Sequence, residues 1–332
     1  MTVAPGVSML GRLMSGSAAG LTWELIEAAR ARIAGKVSCT PVMTSATLDA
    51  HSGAQLSFKC ENLQKGGAFK ARGATNAVLA LPEDQARRGV ATHSSGNHGA
   101  ALARAARLRG IRAYVVMPEN TAAAKRDAVS RWGAEITWCA PTQSAREHAV
   151  QQVLTATGAT LIHPYDDLAV MAGQATVAVE LLSQVPELDV ILCPIGGGGL
   201  LSGTAVAAKK LKPAIRIIGV EPAGADDAAR SFRAGTIVPR NNPETIADGL
   251  RASVGEKPFA EIRRWVDDIV TVPDEAIVRA MRQLWEVLKI VVEPSGAVPY
   301  AALLEPRNAL AGARIGLIVS GGNVDLDRLP WR

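Results

Sequence analysis

Short, almost wholly apolar runs alternate along this chain with longer stretches in which apolar residues recur every three or four positions. The runs QLSFKC, GVATHS, AYVVMP, EITWCA, TLIHPY, VILCPI, RIIGVEP, DIVTV and RIGLIVS have strand length and are rich in β-branched residues. Between them GAALARAARLRG, TAAAKRDAVSRWG, TVAVELLSQV and DEAIVRAMRQLWEVLKI have helical period. A further helix is predicted from Thr22, which caps it, through WELIEAARARI to Gly35, with acids early and arginines late as the helix dipole favours. Regular strand-helix alternation requires parallel sheets covered on both faces, and several runs are apolar throughout, as doubly buried strands should be. The fold class is therefore α/β, and ligands in such sheets sit beyond the carboxyl ends of strands.

Composition narrows the picture without adding chemistry. A chain of 332 residues, 48% hydrophobic and 20% charged, can bury one large or two medium cores. The net charge of +5 comes from arginines scattered along helices, and with 4% aromatics there is little for bases to stack on, which argues against nucleic acid. Cys39, Cys60, Cys139 and Cys193 stand far apart, so neither a zinc knuckle nor a disulfide framework is expected, and the compartment is reducing. Residues 1–20 lack a signal-peptide pattern and read as a loose arm. No run reaches the ~18 apolar residues of a membrane span, so a cytoplasmic protein is the default expectation.

Four segments that follow strands carry candidate chemistry. In VILCPIGGGGLLSG a buried strand leads through Gly196, Gly197, Gly198 and Gly199 into a helix, which lets backbone N–H groups approach a phosphate. It is neither a Walker loop nor a dinucleotide fingerprint, so a small phosphorylated cofactor fits better than a nucleotide. The turn HSSGNH offers Ser94, Ser95, Asn97 and His98 either as a carboxylate cradle or simply as a helix cap. In IVSGGN the hydroxyl of Ser320 can meet a ring nitrogen or merely build a turn. In GVEPAGADD, Glu221, Asp226 and Asp227 are either hard ligands for Mg²⁺ or Ca²⁺ or an ordinary acidic turn.

The segment GGAFKARGA adds Lys70. Only ten of the 36 basic residues are lysines, so this amine among glycine and alanine is either an ordinary surface residue or, in the company of a phosphate cradle and a carboxylate cradle, a chemical choice. An amine so placed can be partly desolvated, which would lower its pKa and make it a nucleophile toward a carbonyl, as arginine cannot be.

In order and spacing, ENLQKGGAFKARGA, SSGNHG, GGGGLLSG, EPAGADD, ETIADGL and LIVSGGNVDL resemble the fold-type II pyridoxal-phosphate enzymes, in particular the serine racemase and serine/threonine dehydratase family, from about Leu21 onward. That resemblance implies a tryptophan synthase β-like fold of two doubly wound, mostly parallel α/β domains. The larger would comprise residues 1–85 and 165–332, and a smaller mobile one residues 86–164. It implies a homodimer as well. Lys70 would bind the cofactor as a Schiff base and move the α-proton; Asn97 would contact its phenolic oxygen, Gly196 to Gly199 its phosphate, and Ser320 its ring nitrogen. Ser94, Ser95, Asn97 and His98 would hold the substrate carboxylate, and Ser95 would act as second acid/base in racemisation. A divalent cation, Mg²⁺, Mn²⁺ or Ca²⁺, would be bound by Glu221, the backbone oxygen of Ala225, and Asp227.

The chain departs from the family pattern at HPYDD, where mammalian-type racemases carry asparagine after the proline, so no cofactor contact is carried over to Tyr165. It also ends soon after the last glycine turn, so isoleucine feedback through an appended regulatory domain is not expected. The activity implied is elimination of water from a serine- or threonine-type substrate, with serine racemase activity as a companion. The alternatives are 3-hydroxyaspartate or a bulkier β-hydroxy amino acid as substrate, a β-replacement synthase, and a cofactor-binding protein without turnover.

Overall fold

The computed structural model of the chain describes residues 20–94, 96–121, 123–239, 242–305 and 310–331. The arm expected at residues 1–20, apart from Gly20, and the candidate Ser95 lie outside them. Two sheets organise the described residues. One has the order β1-β2-β10-β7-β8-β9, from Val42–Met43 (β1), Gln55–Cys60 (β2), Val190–Pro194 (β7), Arg216–Pro222 (β8), Asp268–Val272 (β9) and Arg314–Val319 (β10). The other has the order β5-β4-β3-β6, from Val90–Thr92 (β3), Ala113–Pro118 (β4), Glu135–Cys139 (β5) and Thr160–Leu161 (β6). Among the strand pairs of the described residues, β1–β2 alone is antiparallel.

The two-residue period of the strands explains their apolar runs. In β7, Ile191 and Cys193 enter one core while Val190 and Leu192 enter the core on the opposite face. In the smaller sheet, Val115 and Met117 of β4 face one cluster, and Tyr114 and Val116 the other. Helices therefore cover both faces of both sheets, the α/β architecture expected from the alternation.

Most boundaries fall where the pattern put them, and the exceptions have local causes. The helix predicted from Thr22 spans Trp23–Ile33, with the Thr22 side chain accepting from Leu25 N–H. The strand read in TLIHPY stops at Leu161, because the following residues form a turn closed by the side chain of His163. The helix read in TVAVELLSQV starts earlier, at Leu168, where Asp167 caps it by accepting from Val170 N–H. Strand β1 carried no legible pattern; it exists because Val42 and Met43 pair with Lys59 and Phe58. No helix among the described residues is long and apolar enough to cross a membrane.

Candidate active site

Lys70 opens the helix Lys70–Ala80 beside the turn that ends β10. Phe69 N–H donates to the Ser320 carbonyl at 3.0 Å, Gly322 N–H donates to Gly67 at 2.9 Å, and Ala68 bridges Gly321 antiparallel. Two segments 250 residues apart in the chain are thereby stitched together, with Lys70 and Ser320 on the same seam. The Lys70 amine donates to the carbonyl of Pro164 at 2.7 Å and lies 5.2 Å from the Phe69 ring centroid. Desolvation pulls it down to about 8.

The same helix is pinned by charge. Arg72, with no exposed side-chain surface, donates to both oxygens of Glu61 at 2.8 Å and to both oxygens of Glu180 at 2.7 Å. Burial alone would lower the pKa of Arg72, and the carboxylates of Glu61 and Glu180 more than reverse that. Lys59 in β2 completes the network, donating to Glu180 at 2.8 Å and to the Thr40 carbonyl at 2.8 Å. Two buried cations thus meet two carboxylates, which fixes the start of the lysine's helix.

Gly196 to Gly199 are buried between β7 and the helix Gly199–Leu211. Gly198 has φ +88°, which favours glycine. A Cβ on Gly197 would come within 2.3 Å of the Tyr165 ring, and one on Gly196 within 2.9 Å of the Leu250 backbone. The loop is therefore best built of residues without side chains, and it leads into a helix N-terminus, whose first N–H groups have no partner within the helix.

Asn97 and His98 open the helix Asn97–Arg109, and Ser94 precedes it. Asn97 donates its amide to Glu293 at 2.9 Å and accepts from the Asn323 amide at 2.9 Å. His98 is buried with its Nε2 3.2 Å from the Ile162 carbonyl, and burial, then the charge of Lys70, keep the ring neutral. Its side chain is thus committed to the protein interior, which leaves its backbone N–H as the group to offer a carboxylate.

Glu293, which the reading of the sequence missed, stands at the centre of this cluster. It is 5% exposed, accepts from Asn97 and from Asn323 N–H (3.0 Å), and its own N–H donates to Gly321. Burial and the nearby Asp248 push its carboxyl up to about 8. The only signal in the chain was one acid in the apolar stretch IVVEPSGAV. Tyr165 was set aside as a departure from pattern, yet its ring lies against Gly197, edge-on to His163 at 4.6 Å between centroids.

Glu221, Ala225 and Asp227 gather at the end of β8. Glu221 accepts from Ala228 N–H at 3.1 Å and Ala229 N–H at 2.8 Å, and Asp227 accepts from Val254 N–H at 3.1 Å. Burial, then the neighbouring acids Asp227 and Asp226, drive Glu221 up to about 8 against those backbone bonds. Gly255 N–H donates to Gly197 at 3.1 Å, so the acidic group supports the glycine loop through residues 254–255. Among the described residues no three His, Cys, Asp or Glu side chains converge in a manner able to hold a metal; two carboxylates and a backbone oxygen are a smaller set.

Comparison with known proteins places the whole chain in a family. The chain is 50% identical over 310 residues to a β-hydroxyaspartate dehydratase of Paracoccus denitrificans, covering 93% of this chain and 98% of that one. It is 52% identical over 309 residues to a serine racemase of Arabidopsis thaliana, covering 92% and 93% respectively. The structure of maize serine racemase superposes with a TM-score of 0.90 at 50% identity, covering 92% of this chain and 94% of that one. A model of the family described as pyridoxal-phosphate dependent enzyme matches residues 33–321, which makes this chain a member of that family.

Proposed function

We propose that the protein eliminates water from a β-hydroxy amino acid of the serine/threonine type, releasing a keto acid and ammonia, with serine racemase activity as a companion. The observation that carries this reading is the half-buried Lys70 amine, lowered to about 8, on one seam with Ser320 and beside the 163–166 turn that touches the glycine loop. Pyridoxal phosphate suits these donors: side-chain-free backbone for a phosphate, a neutral hydroxyl for a ring nitrogen, and a partly deprotonated amine for an aldehyde. When bound, the cofactor supplies the electron sink for charge developing at the substrate α-carbon.

The chain's own groups do the rest. Gly196 to Gly199 and the helix dipole hold the phosphate. Asn97, its amide orientation set by Glu293 and Asn323, contacts the phenolic oxygen. Ser94, Ser95, Asn97 and the His98 backbone anchor the substrate carboxylate, which fixes the bond at the α-carbon that breaks. Lys70 takes the α-proton; at a pKa of about 8 roughly a tenth of the amine is free at pH 7, against less than a thousandth for an ordinary lysine. The resulting ammonium then donates a proton to the departing β-hydroxyl, and water converts the enamine product to keto acid and ammonia. Ser95 serves the opposite face in racemisation.

The unit built on the four-stranded sheet, residues 86–164, closes over the substrate against the unit of residues 1–85 and 165–332. Asn97 with Glu293, and Lys125 with Asp248, are the contacts that support such a closure. Glu221, Ala225 and Asp227 hold a divalent cation through hard oxygens and thereby brace the glycine loop. The chain works as a homodimer, the assembly its family resemblance implies, which light scattering measures.

A second reading, 3-hydroxyaspartate as substrate, is favoured by Arg146. Its Nε is buried without a hydrogen-bond partner among the described residues, and its charge is felt by His93 just beyond β3. Such a cation suits a second substrate carboxylate. Keto-acid and chirality assays over serine, threonine, 3-hydroxyaspartate and phenylserine, with and without EDTA, decide between the readings. Turnover and an aldehyde-linked absorbance surviving in Lys70→Ala would overturn both.

A further inference from the structure

We propose that the turn at residues 163–166 is a holding site for the amine of Lys70, and that His163 is the positioning residue that builds it. The proposal rests on reading Lys70 as the reacting amine. A lysine that alternates between a bonded and a free state needs a place for the free amine, because its stem has four rotatable bonds and would otherwise swing away from the α-carbon.

The turn supplies that place through backbone. Asp166 N–H donates to Nδ1 of His163 at 2.9 Å, closing the turn over Pro164 and Tyr165. Pro164 has a fixed φ and no N–H of its own, so its carbonyl is the polar group it offers, and that carbonyl receives the Lys70 amine at 2.7 Å. The far side of the turn is tied down as well, since Asp166 accepts from Lys257 N–H at 3.0 Å. The imidazole is wedged edge-on between two rings, 4.6 Å from Tyr165 and 5.7 Å from His93.

His163 can serve as a constant acceptor because it does not charge. Burial and then His93 hold it down to about 4, so its Nδ1 lone pair stays available at physiological pH, with the proton assigned to Nε2. The titratable groups that face Lys70 are this ring and His98, both neutral, with the Phe69 ring beside them. No carboxylate among these neighbours sustains the ammonium form. The Pro164 carbonyl is the dipole that does, acting against the desolvation of the site. The turn thus holds the amine in position and sets how readily it accepts a proton.

The test is competitive acetylation of Lys70 across pH 6 to 10 in the full-length chain stripped of cofactor with hydroxylamine, read by mass spectrometry. The parent should label with a midpoint of about 8. His163→Leu, which opens the turn, should lower the midpoint and raise the reactive fraction at pH 7 about fourfold, the effect of losing one hydrogen bond to the charged form. His163→Asn places an amide oxygen where Nδ1 was and should restore the parental curve. Lys59, buried in the charge network, reports folding through its protection in the same digest. If His163→Leu exposes Lys59, His163→Gln, whose oxygen reaches past the turn, takes its place under the same criterion. A midpoint unchanged or raised in the turn-opening variant, or an Asn variant that behaves like it, overturns the proposal. Labelling needs no substrate, so failure of the turnover assays removes the function reading and leaves this result to stand or fall by itself.

Discussion

Asn97 donates to Glu293 and accepts from Asn323, both at 2.9 Å, and these two contacts give its amide a single orientation across the gap between the two sheets. Each oxygen of the Glu293 carboxyl accepts one bond there, from Asn97 and from Asn323 N–H. A glutamine can satisfy one of those donors and must turn its own N–H toward the other. Glu293→Gln is expected to cost about 1–3 kcal/mol at this site, seen as weaker cofactor retention and a displaced absorbance band. Its pH signature is separate. The carboxyl is raised from 4.5 to about 8, so the folded state binds the proton more tightly than the unfolded one. The stability this contributes is complete below pH 4.5 and is lost as pH rises through about 8. Thermal melts should therefore fall less steeply over that window in the Gln variant than in the parent. Equal slopes would remove the assignment of this titration to Glu293.

Gly197→Ala places a methyl 2.3 Å from the Tyr165 ring inside a buried loop. Overpacking of this kind costs about 1–3 kcal/mol. Because the displaced elements are the proposed phosphate cradle and the turn that receives Lys70, cofactor affinity should suffer more than global stability. Equilibrium titration of the cofactor-free variant with pyridoxal phosphate, set against its melting temperature, measures the split.

Chelation tests the acidic group. If Glu221, Ala225 and Asp227 hold a divalent cation, EDTA should lower the melting temperature of the parent, and Mg²⁺ in excess should restore it. Asp227→Asn should show a smaller response to either treatment. Indifference of the parent to both would remove the cation from this site.

Arg146→Gln separates the two substrate readings. If the guanidinium receives a second carboxylate, the variant should lose about tenfold or more in kcat/KM toward 3-hydroxyaspartate, with serine turnover changed less than about twofold. Parallel losses on both substrates would assign Arg146 a structural role.

Much of the candidate site was legible because its parts are local. Four glycines between an apolar strand and a helix require close backbone approach wherever they occur, and a lysine among small residues announces a desolvated amine. Glu293, His163 and Tyr165 were not legible in this sense. Glu293 stands in the sequence only as one acid in an apolar stretch, and His163 reads as part of a strand until Asp166 N–H is seen to close on its ring. The strand β1 was invisible because two residues carry no period, and only Lys59 and Phe58 opposite them define it.

The sequence by itself determined the α/β class, the positions of nine strands, and which segments are candidates for chemistry, since hydrophobic period and backbone freedom are properties of neighbouring residues. Tertiary structure alone decided that Lys70 meets Pro164, that Arg72 balances Glu61 and Glu180, and that Asn97 finds Glu293. Protonation was decided there too. The amine, carboxyls and imidazoles of this site owe their shifted pKa values to water excluded by segments far away in the chain, and no local pattern encodes how much water those segments leave behind.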